Sequence, residues 1–235
     1  MSKAGYKTES IERTGSGTVS TVRCGVTTRF RFGTRRVRLL QVRDLEDWID
    51  RDALLRDDTP EPPYWALVWT GARSLANYVE EHVACADRSV LDLGCGLGLT
   101  GIVASLKGGR VTFADHEPQA LAFARANAAL NGCCGYRTQQ LDFSHDSLGQ
   151  RFSLILGAEI VYDRPLFAVL INFLLRHLTP DGSALLADAH RTNTDEFYRQ
   201  LDARGLAWTR TAVQEREDNL PLTVHVVTVR KGSAW

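Results

Sequence analysis

Long apolar runs are the first thing missing from this sequence. No stretch reaches the ~20 consecutive apolar residues that a membrane-spanning helix needs, and the opening residues carry no apolar segment of the secretory kind. Cysteine is sparse and poorly spaced for cross-linking. Cys24, Cys85, Cys95, Cys133 and Cys134 form an odd set with one adjacent pair, no C-x-x-C unit and no complete Cys/His zinc set. That excludes a disulfide framework and offers no metal site. The thiols are read as small buried or surface groups in a reducing, cytoplasmic setting. Net charge is also absent, since 28 Lys and Arg balance 28 Asp and Glu. Bulk attraction to nucleic acid or to a membrane surface therefore has no basis. Walker A loops, nucleophile-elbow serines and metal-binding helix pairs are lacking as well.

What is present is a chain of 235 residues, 44% apolar, enough for one large domain with a small extension. Charge is unevenly placed: residues 1–43 carry ten Lys/Arg against two Glu, and residues 44–61 carry eight acids against two Arg. Residues 1–20 read as a polar arm. Apolar and polar residues alternate around Gly33-Thr34 in Arg29–Phe32 and Val37–Leu39, which predicts a hairpin with its arginines on a solvated face. Leu45–Leu55 has short helical spacing, and Asp57–Pro63 is a breaking loop. The arm and hairpin, residues 1–61, are set apart from a main domain at 62–235.

From Tyr64 onward the pattern alternates. Strands are expected at Ser89–Leu93, Arg110–Ala114, Arg137–Leu141, Phe152–Leu156 and Ser183–Ala187, with helices at Ala72–Val83, Thr100–Leu106, Pro118–Leu130, Pro165–Leu178 and Thr194–Arg204. Ala207–Val213 and Thr223–Lys231 read as two closing antiparallel strands. Such alternation predicts an α/β, doubly wound, Rossmann-like sheet with an antiparallel C-terminal edge strand, plus the small N-terminal hairpin. Ligands bind such sheets at the carboxyl ends of the strands.

The chemistry concentrates in Val90-Leu91-Asp92-Leu93-Gly94-Cys95-Gly96-Leu97-Gly98, a strand running through alternating glycines into a helix. Glycines there allow unusual dihedrals and close ligand approach. Gly96-x-Gly98-x-x-Gly101 also fits a dinucleotide loop, and Asp115, at the end of the next strand, suits ribose hydroxyls. These features are shared by NAD and S-adenosylmethionine. Asp92 tips the balance, because an acid at that strand tip suits an ammonium and a sulfonium and opposes a pyrophosphate; its other reading is a turn cap. Asp142 is a candidate for the adenine amino group, or a loop cap. Of Trp65 and Trp69, one is expected over the cofactor and one in the core, with Trp69 the candidate. Glu159 and Tyr162 follow the fourth main-domain strand, where an incoming amine would meet the cofactor. His116 and His190, near strand ends, are read as surface or structural.

These residues resemble class I, seven-stranded methyltransferases, and more narrowly the family 16 lysine methyltransferases, including enzymes acting on the electron-transfer flavoprotein β subunit. Tyr64-Trp65-Ala66-Leu67-Val68-Trp69 is similar to the family's Trp motif, Asp92–Gly98 to motif I, and Glu159-Ile160-Val161-Tyr162 to its Asp/Glu-x-x-Tyr/Phe motif, with Glu where many members have Asp. The resemblance implies S-adenosyl-L-methionine as cofactor. Trp69, Asp92, Gly94, Gly96, Gly98, Asp115, Asp142 and Glu159 would border it, and Glu159 and Tyr162 would orient the acceptor nitrogen. A protein lysine is the implied acceptor, with a small amine as the alternative. An NAD(P)-dependent oxidoreductase and a non-catalytic cofactor-binding module stay open as other classes.

Overall fold

The computed structural model describes residues 25–45, 62–189, 194–217 and 220–232. The polar arm, most of the Leu45–Leu55 and Asp57–Pro63 segments, and His190 lie outside the described residues. The hairpin pairs β1 (Gly25–Phe32) with β2 (Arg35–Val42) through a turn at Gly33-Thr34. Alternation works as expected: Phe32, Val37 and Leu39 are buried, while Arg29, Arg31, Arg36 and Arg38 are exposed.

The main sheet has seven strands: β3 (Ser89–Leu93), β4 (Arg110–Asp115), β5 (Arg137–Gln140), β6 (Phe152–Ala158), β7 (Leu178–Asp188), β8 (Leu206–Glu217) and β9 (Leu220–Lys231). Their order is β5-β4-β3-β6-β7-β9-β8. The first five run parallel, and β9 runs antiparallel to both neighbours. The chain's last strand therefore slots one place in from the edge, and β8 forms the edge itself. Helices α1 (Thr70–His82), α2 (Leu99–Leu106), α3 (Pro118–Leu130), α4 (Phe167–His177) and α5 (Asp195–Ala203) cover the two faces. Every helix and strand expected from Tyr64 onward is present, with ends shifted by a few residues.

Two apolar clusters flank the sheet, and β3 feeds both. Val90 packs with Leu75, Val79, Ile102 and Phe123 on one side, and Leu91 and Leu93 pack with Phe167, Ile171 and Phe197 on the other. The hairpin's Phe32, Val37 and Leu39 belong to the first cluster. Polar groups fix its seat. Fully buried Asn127 of α3 accepts from Leu40 N–H at 2.6 Å and donates to Leu40 O and Leu97 O at 3.0 Å. Asn131 pairs in the same way with Arg38. A primary amide can serve both backbone groups of an extended residue, and leaving those of Leu40 unpaired at this part-buried seam would cost up to about 1–3 kcal/mol each. Asn127 also joins the hairpin to the loop carrying Leu97, so the extension braces the glycine turn.

Candidate functional site

Strand order reverses between β3 and β6, and the crevice opens there, at the carboxyl ends of the parallel strands. A cavity of about 340 Å³ occupies it, a size typical of small-molecule sites. Its floor is the β3–α2 turn. Gly94, Gly96 and Gly98 have φ of 63°, 50° and 83°, in the left-handed region that favours glycine. A Cβ on Gly94 would lie 2.9 Å from Ile160 Cγ2, and one on Gly96 3.0 Å from Trp65 O. Gly94 and Gly96 line the cavity. Gly98 does not; it starts α2, and a Cβ there would meet Ala124 at 3.1 Å. Its part is to turn the chain tightly, one step behind the lining.

Two buried carboxylates face this turn. Asp115, at the end of β4, accepts from Gly96 N–H at 2.9 Å through Oδ2 and from Glu117 N–H at 3.1 Å through Oδ1. It both holds the glycine loop and borders the cavity. Burial raises its pKa, against the pull of those N–H groups. Asp92 accepts from Gly101 N–H at 2.9 Å, so it caps the start of α2, and it also lines the cavity. The turn-cap reading of Asp92 is thus the observed one, and the same side chain borders the cavity. Burial first, and then repulsion from Asp115, push its pKa up to about 7. The same surroundings push the Cys95 thiol up, which keeps it neutral.

Trp69 lines the cavity just before α1, its indole N–H donating to Tyr64 O at 2.9 Å. Trp65 lines it too, while packing against Phe123 at 5.4 Å between ring centres. One tryptophan is expected over the cofactor and the other in the core; both border the cavity, and Trp65, half-buried, also packs on the first cluster. Asp142 takes the loop-cap arrangement, the second of its two readings. Its carboxylate turns into its own loop, accepting from the Ser144 hydroxyl and amide and lying 3.0 Å from His145 Nδ1. The Ser144 hydroxyl, and then His145, hold its pKa down to about 2. Short Asp side chains bond locally whenever a following Ser offers two donors. The residues on either side, Leu141 and Phe143, border the cavity instead.

Glu159 stands at the end of β6 with φ 58°, a left-handed conformation that is strained for a residue with a Cβ. Its Oε1 accepts from Gly71 N–H at 3.0 Å, and its Oε2 from Ala189 N–H at 3.5 Å. Gly71 is the second residue of α1, so the carboxylate fills an open donor site at a helix start, where the dipole favours negative charge. A Cβ on Gly71 would lie 2.6 Å from Glu159 Oε1. Sequence reasoning missed Gly71, although a glycine directly after Trp69-Thr70 in a helix start is a recognisable signal. Tyr162 is 53% exposed at the cavity mouth. His116 also lines the cavity, 3.6 Å from Asp115.

A family model for lysine methyltransferases matches residues 55–203. The chain belongs to the lysine methyltransferase family. Among relatives, it is 38% identical over 145 residues to EEF1A lysine methyltransferase 3 of Mus musculus, covering 58% of this chain and 61% of that one. Protein N-lysine methyltransferase METTL21A of Danio rerio is 34% identical, with 72% and 78% covered. Electron transfer flavoprotein beta subunit lysine methyltransferase of Danio rerio is 30% identical, with 70% and 65% covered. The first and third of these are matched over less than two thirds of their own length. Among solved structures, the ribosomal protein L11 methylase of Lactobacillus delbrueckii subsp. bulgaricus superposes with a TM-score of 0.56 at 22% identity, over 70% of this chain and 81% of that one. Magnesium protoporphyrin IX methyltransferase of Synechocystis PCC 6803, with bound SAM, superposes with a TM-score of 0.55 at 18% identity, over 69% and 78%. The fold is that of S-adenosylmethionine-dependent methyltransferases, and the family brings that cofactor with it.

The cavity suits such a ligand. Leu141 and Phe143 offer an apolar wall for a base, Asp115 a buried acceptor for hydroxyls, and Asp92 a buried anion for a cation. Asp92 makes this testable. Its pKa in the folded protein lies above the unfolded value of 3.8. Its ionisation therefore opposes folding: the contribution of Asp92 to stability is greatest below pH ~4 and is lost as pH rises to about 7. A cation bound beside Asp92 favours the ionised form and lowers that pKa, so binding releases a proton. S-adenosylhomocysteine affinity is expected to tighten up to about tenfold from pH 6 to pH 8 and then level off. Calorimetric titrations at those pH values check it. Affinity that stays flat or weakens, or the same slope in Asp92→Asn, would remove Asp92 from the cation site.

Proposed function

We propose that this chain transfers a methyl group from S-adenosylmethionine to the ε-amine of a lysine in a protein. The observation that carries the reading is the strained Glu159, beside the exposed Tyr162, at the strand end where the cavity opens. When bound, S-adenosylmethionine supplies an electrophilic methyl carbon and is left as S-adenosylhomocysteine. The chain's own residues supply position and field. Gly94 and Gly96 with Asp115 hold the adenosyl part, Asp92 holds the methionine ammonium, and Trp69 closes the side. Gly98 shapes the turn behind them. Asp142 is left out of the assignment, because its carboxylate turns into its own loop and does not border the cavity, as those of Asp115 and Glu159 do. Glu159 draws the lysine ammonium to the mouth, and Tyr162 orients it. The apolar surroundings favour the neutral amine, whose proton leaves to water. Four free thiols, Cys85, Cys95, Cys133 and Cys134, support the cytoplasmic placement.

The test has two parts. Saturation with S-adenosylhomocysteine at 100 times its dissociation constant adds about 2.7 kcal/mol, which raises Tm by roughly 5–10 °C; NAD and NADP should leave it unmoved. Protein from a lysate labelled with the methyl donor is then hydrolysed and its amino acids separated. Label in methylated lysine is the expected result. One relative, matched over 41% of its length, is the histidine protein methyltransferase 1 homolog of Dictyostelium discoideum. Label in methylhistidine alone, or only in small amines, would overturn the lysine reading.

A further inference from the structure

The ladder between β7 and β9 ends at Asp188 opposite His225, but that between β8 and β9 continues to Glu217 opposite Leu220. Residues 213–217 and 220–224 therefore overhang the carboxyl edge of the sheet, the edge on which the cavity opens. The overhang is tied down. Thr70 Oγ1 donates to Glu217 Oε1 at 2.7 Å, and Arg73 Nη2 donates to Arg216 O at 3.1 Å. Both anchors belong to the first turn of α1, the turn that also holds Glu159 through Gly71. On one face of the overhang Val224 is buried and Leu222 half-buried against the first cluster. Leu220 continues that row, yet it is 69% exposed. A row that buries its first members and leaves its last in water ends on a binding surface or at a frayed tip, and the two ties to α1 argue against fraying.

Its surroundings decide what it meets. Four large apolar side chains are exposed among the described residues: Tyr64, Leu67, Tyr162 and Leu220. The first three line the cavity, and Leu220 pairs across the ladder with Glu217, whose carboxylate is bonded to Thr70, the residue after cavity-lining Trp69. Exposed apolar side chains close to a cavity mark an interaction site when they are not scattered singly. The ties to Thr70 and Arg73 hold the overhang against the helix start whose Trp69 and Ala72 border the cavity, and this commits it to the acceptor, the partner that must reach that cavity at every turnover.

We propose that Leu220 is a specificity-determining residue: it receives an apolar side chain flanking the lysine of the acceptor protein. This rests on the lysine reading given above. The overhanging strands then act as a selective rim, and the cavity itself accepts any lysine that reaches it. Burying one leucine-sized side chain accounts for an affinity gain of roughly tenfold or more.

Two short fluorescent peptides test it, each with norleucine in place of lysine so that binding is read without turnover. One carries leucine on both sides of norleucine and the other carries glycine. In the presence of S-adenosylhomocysteine, the wild-type chain should bind the leucine peptide at least tenfold tighter. Leu220→Ser, a surface change, should lose that preference while keeping the same thermal shift with S-adenosylhomocysteine. Equal binding of the two peptides by the wild type, or an undiminished preference in Leu220→Ser, would overturn the proposal. So would a wild-type dimer that Leu220→Ser converts to a monomer, since a second copy would then be the occupant. Lysine versions of the peptides read methylation separately. A preserved binding preference with neither peptide methylated would support the rim and count against the lysine assignment.

Discussion

Glu159→Gly is expected to give a folded, cofactor-binding protein with turnover reduced on the order of 100-fold, the scale of losing a positioned charged group at a reaction centre. Two effects oppose each other in its stability. The φ of 58° at Glu159 is one that glycine adopts freely, so the change removes roughly 1–2 kcal/mol of backbone strain. It also removes the acceptor of Gly71 N–H and Ala189 N–H, and hydrogen bonds to a charged group contribute about 1.5–3 kcal/mol. Glu159→Ala loses the same bonds without relieving the strain. The glycine variant should therefore be more stable than the alanine variant by about 1 kcal/mol, with both equally slow. Glu159→Asp, which keeps a carboxylate at this position, should recover much of the activity. Denaturant melts, S-adenosylhomocysteine affinity and methyl transfer to a lysine acceptor, measured on all three variants, separate these effects. A glycine variant with wild-type turnover would show that Glu159 serves only to link β6, α1 and the end of β7.

Asp115→Ala carries the second large effect, a loss of cofactor affinity of roughly 10- to 150-fold, equivalent to about 1.5–3 kcal/mol for a hydrogen bond to a charged acceptor. The geometry adds a second cost. Asp115 accepts from the N–H groups of Gly96 and Glu117, and both would be left without their acceptor. A drop in Tm of the ligand-free protein should therefore accompany the loss of affinity. Asp115→Asn keeps a neutral acceptor for one of those N–H groups, so it should regain stability before it regains affinity. Affinity within twofold of wild type in both variants would remove Asp115 from the cofactor site and leave it as a brace of the glycine loop.

The two acids were legible to different degrees, and the reason is physical. Asp115 lies at a strand end that periodicity alone defines, with Val111, Phe113 and Ala114 buried before it, so its place at the sheet's carboxyl edge followed from the pattern. Asp142 has the same sequence signature, an acid just after a strand. What diverted it was Ser144, whose hydroxyl and amide reach its carboxylate inside a single turn, a local competition that strand periodicity does not register. Trp65 and Trp69 could not be ranked from sequence, because an aromatic side chain can pack against Phe123 and still border a cavity.

By itself, the sequence determined the succession of elements, the parallel sheet with its antiparallel close, the glycine turn after β3 and the strand-end positions of Asp92, Asp115, Glu159 and Tyr162. Each follows from local preferences: apolar period, glycine's access to positive φ, and the grouping of strand ends that parallel βα units impose. Only the tertiary structure decided that β9 inserts between β7 and β8, that the hairpin shares the main core through Asn127, that Gly71 meets Glu159, and that the strand end carrying Leu220 is tied to the start of α1. Those relations join residues up to 147 positions apart in the chain. They depend on which surfaces remain to be covered once the sheet has formed, and no local window of sequence contains that information.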